Sequence, residues 1–201
     1  VALTSLPAGA AVVLDDPLAG STVGTRSGGT FVADGWRVDH QYDSIYWHIP
    51  NSTRGAFEYD VRGIGVPCSG GQGDKNEISH MYDYTFNNAD VVYSGGYRDA
   101  PYKHFIRKQC FAPRQNPLEI LWAIAPNYLE DDTPSLSWDA SVTYRFWCEW
   151  ENTGTHGILR TYRNGVLIWT QTLPGSWNPG GFSVRIAASP RRADECAPVG
   201  T

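Results

Sequence analysis

The sequence predicts an all-β protein, an antiparallel β-sandwich of the jelly-roll kind, on three observations. Its 21 Gly and 13 Pro are scattered between short apolar runs instead of pooled in one tract, as expected for many tight turns between short strands. Several of those runs alternate apolar with polar residues, the two-residue period of a strand with one buried face. No stretch of about a dozen residues keeps a 3.6-residue apolar period between credible helix caps. At 201 residues the chain suits one domain over 1–201, and a core of that size needs neither a metal nor a dense disulfide framework.

The elements follow in order. Residues 10–14 form a short apolar run that reads as a first strand, ending at Asp15-Asp16-Pro17, with a Gly/Ser/Thr-rich loop through Gly29. Short candidates follow at 30–33, 36–38 and 44–49. The last alternates Ile45, Trp47 and Ile49 against Tyr46 and His48. Over 56–62, Phe57, Tyr59 and Val61 point one way while Glu58, Asp60 and Arg62 point the other, so one face of that strand is charged. Strands are expected at 77–82 and 102–109, separated by a polar, Gly- and Tyr-bearing excursion. Residues 118–125 and 144–150 read as half-buried strands, the second with Tyr144, Phe146, Cys148 and Trp150 on one face. Between 158 and 173, Asn164-Gly165 joins two strand-like runs, the strongest short-range hairpin signal in the chain. Residues 182–188 form the last clear strand.

Composition narrows the partners. A net charge of -5 provides no broad basic field, which sets aside nucleic acid held by its phosphates. All but three of the 16 basic residues are Arg, the better fork for carboxylates and sulfates, so an acidic glycan is compatible. Eight Trp, 11 Tyr and 7 Phe exceed what a core needs, and Trp147, Tyr162, Trp169, Trp177 and Tyr97 are the rings that could stack on sugars. Cys68, Cys110, Cys148 and Cys196 are even in number and lack a C-x-x-C pair. Two disulfides are therefore expected, with Cys68 to Cys110 favoured among three connectivities because their flanks read as loop ends around one sheet edge, and four buried free thiols are the alternative. No apolar run reaches the roughly 18 to 20 residues of a membrane span. Together with a start at Val1, this reads as a secreted domain processed or excised from a larger, multidomain chain.

Three segments carry a family resemblance: Gly55-Ala-Phe-Glu-Tyr-Asp-Val, Thr161-Tyr-Arg-Asn-Gly-Val-Leu-Ile, and Ser183-Val-Arg-Ile-Ala-Ala-Ser-Pro. They resemble the concanavalin A-like, laminin-G-like sandwich superfamily of lectins, carbohydrate-binding modules, laminarinase-like hydrolases and polysaccharide lyases. The resemblance implies a ligand on the concave sheet. Laminarinase-like hydrolases carry Glu-x-Asp-x-x-Glu on one strand, and Glu58-Tyr-Asp60-Val-Arg-Gly63 has Gly where the second Glu belongs, which speaks against hydrolysis by that motif. Relatives also close with a further strand after the equivalent of Val199-Gly200.

Two constellations follow. Glu58, Asp60 and Arg62, with Trp147, Glu149 and Tyr162, are the candidate carbohydrate-binding set for a lectin-like module, although three charges on one strand also suit a solvated face. His80 and Tyr82, with Arg98 and Arg107, are the candidate catalytic set of a lyase: His or Tyr takes the C5 proton of a uronate while Arg neutralises its carboxylate. Hydrogen-bonded structural roles are the alternative for that pair. A structural adhesion domain is a third reading. No cofactor is required; a structural calcium would draw on Asp15 and Asp16, or on Glu130-Asp131-Asp132. Asn51-Ser-Thr53 is a glycosylation sequon.

Overall fold

The computed structural model describes residues 11–40, 43–50, 52–63, 75–83, 102–109, 118–124, 136–174, 181–187 and 195–196. All regular structure in them is strand: β1 (Thr25–Ser27), β2 (Thr30–Val32), β3 (Gly35–Arg37), β4 (Ser44–Pro50), β5 (Arg54–Val61), β6 (Lys75–Asp83), β7 (Tyr102–Gln109), β8 (Leu118–Ile124), β9 (Tyr144–Asn152), β10 (His156–Arg163), β11 (Val166–Pro174), β12 (Gly181–Ala187) and β13 (Glu195–Cys196). One sheet runs β1-β4-β12-β6-β7-β8 with β13 parallel to the start of β6; the other runs β11-β10-β9-β5. A small β2–β3 ribbon lies apart from both. Among the described residues no helix is long and apolar enough to cross a membrane.

The alternating segments found their partners as their periodicity predicts. In β9, Tyr144, Phe146, Cys148 and Trp150 are buried while Arg145 is exposed and Trp147 and Glu149 are half-buried. In β4, Ile45, Trp47 and Ile49 go inward. These rows meet in one core with Met81, Ile106, Val184, Leu159 and Trp169, so the two sheets are packed face to face. Trp169 is thus a core ring and does not face a ligand, a correction that follows from its place on the inner face of β11. The β10–β11 hairpin turns on Asn164 and Gly165, both with positive φ (53° and 79°), the backbone an Asn-Gly pair adopts most readily.

Two expectations fail at the N-terminal end. Residues 11–14 are not a strand: Val12 and Val13 are 66% and 70% exposed, because three successive apolar residues cannot all face one side of a pleat. Instead β1 forms within the presumed loop and covers the edge of β4, with Thr25 opposite Tyr46 and Ser27 opposite Ser44.

One polar link joins the sheets inside the core. The Tyr59 hydroxyl of β5 and the fully buried Ser79 hydroxyl of β6 lie 2.6 Å apart. Burial, and then the nearby Cys148, raise the Tyr59 phenol well above its ordinary range, only partly offset by the bond to Ser79.

Candidate functional site

Each sheet has an outer face; the Glu58 constellation centres on that of the four-stranded sheet, while His80 and Tyr82 hold positions in β6 of the seven-stranded sheet. On the four-stranded sheet, strict alternation sends Glu58 and Asp60 outward once Phe57, Tyr59 and Val61 turn in. Cross-strand pairing sets Asp60 opposite Arg145, Glu58 opposite Trp147, and Trp147 opposite Tyr162. Arg145 binds Asp60 in bidentate fashion, Nε to Oδ1 at 2.7 Å and an Nη to Oδ2 at 2.8 Å, and approaches Glu58 at 3.4 Å. The hydrogen bonds and then the charge of Asp60 hold the Arg145 guanidinium even more firmly protonated than usual.

Glu149 is the second node. Its carboxylate accepts from the Trp147 indole N–H (3.1 Å), the Arg160 guanidinium (3.0 Å) and the Tyr162 hydroxyl (3.2 Å). Partial burial, then the charge of Glu149 and its acceptance of the phenol proton, raise the Tyr162 pKa. Five of the six predicted carbohydrate-binding residues therefore share one face. Arg62 leaves it: past the end of β5, its guanidinium pairs with Asp34 in the β2–β3 turn.

On the seven-stranded sheet, backbone register assembles two adjacent rows. Tyr46, Arg185, His80 and Phe105 stand opposite one another across β4, β12, β6 and β7; His48, Ser183, Tyr82 and Lys103 form the next row. Neighbouring strands lie about 4.8 Å apart and alternate residues about 7 Å apart along a strand, so these positions form a compact patch. They alternate with the inward Ile45, Trp47, Ser79, Met81 and Val184. The Tyr46 and His48 rings meet edge to face at 5.8 Å. Sequence reading found His80 and Tyr82 but missed Arg185, Tyr46 and His48; the alternation of 44–49 carried a signal for the last two. Arg107 stands in register between Glu77 and Glu119, one row removed from His80 across the bulge in β6. Arg98 lies outside the described residues, as do Tyr97, Trp177, Asn51, Cys68, Cys110 and Glu130-Asp131-Asp132.

One further expectation changes. Cys148 is a free, buried thiol on the inner face of β9, so its assignment to a disulfide is corrected; burial pushes its pKa to about 12, with a hydrogen bond to Thr161 offsetting part of the rise. Cys196 lies in β13, beside Asn76. Asp16 collects four donors: the Thr22 hydroxyl (2.6 Å), the Val23 N–H (2.9 Å), the Trp47 indole N–H (2.9 Å) and the Leu18 N–H (3.3 Å). Burial raises its pKa, but those bonds together outweigh it and leave the carboxyl below the ordinary range. Its role here is to tie the N-terminal segment to β4. Among the described residues, no three or more His, Cys, Asp or Glu side chains gather as a metal-ligand set.

No family model matches the sequence, and comparison with curated proteins finds no match. Among solved structures, the fold is similar to an endo-1,3-beta-glucanase from Streptomyces sioyaensis, with a TM-score of 0.59 and 12% identity over 93% of this chain and 88% of that one. A Bacillus licheniformis beta-glucanase superposes with a TM-score of 0.54 and 11% identity, over 85% and 82% of the two chains. An alginate lyase does so with a TM-score of 0.54 and 13% identity, over 87% and 81%. The chain folds as a concanavalin A-like jelly roll. At these identities the likeness is one of fold, and a jelly roll of this type carries its chemistry in whichever side chains its faces present.

Proposed function

We propose that the protein binds a uronic-acid-containing polysaccharide across the outer face of its seven-stranded sheet and cleaves it by β-elimination. The observation that carries this reading is the register that sets Arg185 between Tyr46 and His80, with Tyr82 and His48 in the adjoining row. The patch holds the residue types the reaction needs. A cation neutralises the uronate carboxylate and so acidifies the C5 proton; a His or Tyr base removes that proton. The C5–H electron pair becomes the C4–C5 double bond, the C4–O bond breaks, and a second hydroxyl or imidazole returns a proton to the leaving oxygen. Arg185 suits the neutralising role better than Arg107, because its cross-strand neighbours are Tyr46 and His80, whereas Arg107 stands between two glutamates. The names of the three similar structures, two glucanases and an alginate lyase, support a polysaccharide as the ligand class. A polymer of that kind places the protein outside the cell.

The test incubates purified protein, with and without calcium, with alginate, glucuronan, pectate and heparin, and follows both new reducing ends and the ultraviolet absorbance of an unsaturated uronate. Elimination raises both together, and His80→Ala, Tyr82→Phe or Arg185→Ala lowers the rate about a hundredfold or more. Reducing ends without absorbance would replace elimination with hydrolysis. Retarded migration in a glycan-containing gel with neither product would make the protein a lectin-like binding module. Silence in all three assays would leave the adhesion domain.

A further inference from the structure

The outer face of the four-stranded sheet takes no part in that chemistry, yet it is organised as a platform. One row crosses all four strands: Leu167, Tyr162, Trp147 and Glu58. Leu167 is 50% exposed at one end of the row. A register shift between Thr161 and Tyr162 sets Tyr162 opposite Leu167, and bulges commonly re-aim side chains at functional surfaces. The Trp147 and Tyr162 rings are half-buried, and each is tethered through its polar atom to Glu149. Rings held in this way lose little freedom when a ligand lies on them.

The flanks are equally fixed, by the bidentate Arg145–Asp60 pair and by Arg160 on Glu149. A guanidinium has five N–H donors and a carboxylate about four acceptor sites, so these pairs retain capacity for ligand hydroxyls. The formal charges on the face are four carboxylates (Glu58, Asp60, Glu149, Glu151) against three guanidiniums (Arg54, Arg145, Arg160). That balance disfavours a polyanion and suits an uncharged, hydroxyl-rich chain.

We propose that this face is a second, non-catalytic binding platform for a neutral polysaccharide, with Trp147 and Tyr162 stacking on pyranose faces. Stacking removes sugar C–H surface from water, and the locked charge pairs take the hydroxyls around it. The platform lies on the opposite sheet from the elimination patch, so the two are separable.

The experiment is affinity electrophoresis of the whole chain through gels containing laminarin, barley β-glucan, xylan or galactomannan, with alginate as the charged control. At least one neutral polymer retards the protein, and Trp147→Ala and Leu167→Asp each weaken that retardation about tenfold. His80→Ala leaves it unchanged, and Leu167→Asp leaves turnover of a soluble uronate polymer unchanged. Leu167→Asp changes an exposed position, so it decides the matter if Trp147→Ala fails to fold. The proposal is overturned if no neutral polymer retards the wild type, or if Leu167→Asp migrates like it. Retardation lost in His80→Ala and kept in Leu167→Asp would assign neutral binding to the seven-stranded sheet and overturn it too.

Discussion

Removing the polar link inside the core measures what holds the two sheets in register. Tyr59→Phe deletes one hydroxyl and leaves the Ser79 hydroxyl, which is 0% exposed, without its 2.6 Å partner. A buried polar group stripped of its partner costs about 1–3 kcal/mol. Ser79→Ala leaves the Tyr59 phenol in the same position and is expected to cost a similar amount. The double variant removes both groups, so its cost falls short of the sum of the singles by about 1 kcal/mol or more. Urea unfolding of the four proteins, extrapolated linearly with a common m-value, reads that coupling directly. For a chain of this length each kcal/mol also moves the thermal midpoint by about 2–4 °C. Additive single costs would refute the reasoning, because they would mean that neither hydroxyl depends on the other.

Three further outcomes follow from the same core and its margins. The folded-state pKa of Cys148 is raised from 9.0 to about 12, so the folded protein holds that proton longer than the unfolded chain; the resulting stability is complete below 9.0 and is lost as pH rises towards 12. Cys148→Ala therefore flattens the fall in urea stability over that window, and an unchanged slope would contradict it. Asp16→Asn replaces a charged acceptor of four donors with a neutral amide and lowers stability by about 1–3 kcal/mol, measured by thermal unfolding; no shift would deny Asp16 its tethering role. At Gly55 a Cβ would run into the Trp150 ring, whose indole N–H is fixed on the Ser52 carbonyl at 3.0 Å, so Gly55→Ala costs about 1–3 kcal/mol by overpacking, against no change if the ring can shift freely.

The fold was legible wherever alternation was strong. Tyr144 to Trp150 and Ile45 to Ile49 announce their buried faces, and Asn164-Gly165 announces its turn. Failure came where the pattern was not two-fold: the apolar run at 11–14 has no alternation to direct it, and β1 is three exposed residues recognisable only by their partner. The site was legible in its parts but not in its arrangement. Sequence placed Glu58 and Asp60 on one charged strand face, yet only pairing shows that Arg145, from a strand 85 residues away, completes it. Arg185 was invisible as a candidate because its meaning lies in the two strands that flank it, and Arg62 looked like part of the row until the strand ended one residue before it. Cys148 was misread because an even cysteine count says nothing about which faces the thiols occupy.

The core and both outer faces depend on one another through parity. Because strand residues alternate, Tyr59 turned inward forces Glu58 and Asp60 outward, and Ser79 turned inward puts His80 at an outward register position. A one-residue slip in β5 would bury two carboxylates and expose Phe57, Tyr59 and Val61; a slip in β6 would take the His80 position to the core side. The hydroxyl pair between Tyr59 and Ser79 is a short-range, directional contact that only the native parity of both strands can make, and it adds to the register that the apolar pattern sets. It therefore helps to hold which side chains each sheet presents, and its loss is expected to degrade ligand handling on both faces together, even though neither hydroxyl reaches solvent-side ligand. In Tyr59→Phe/Ser79→Ala, uronate turnover and neutral-glycan retardation should decline in parallel under conditions where the protein remains folded. A loss confined to one face would show that each sheet keeps its register unaided.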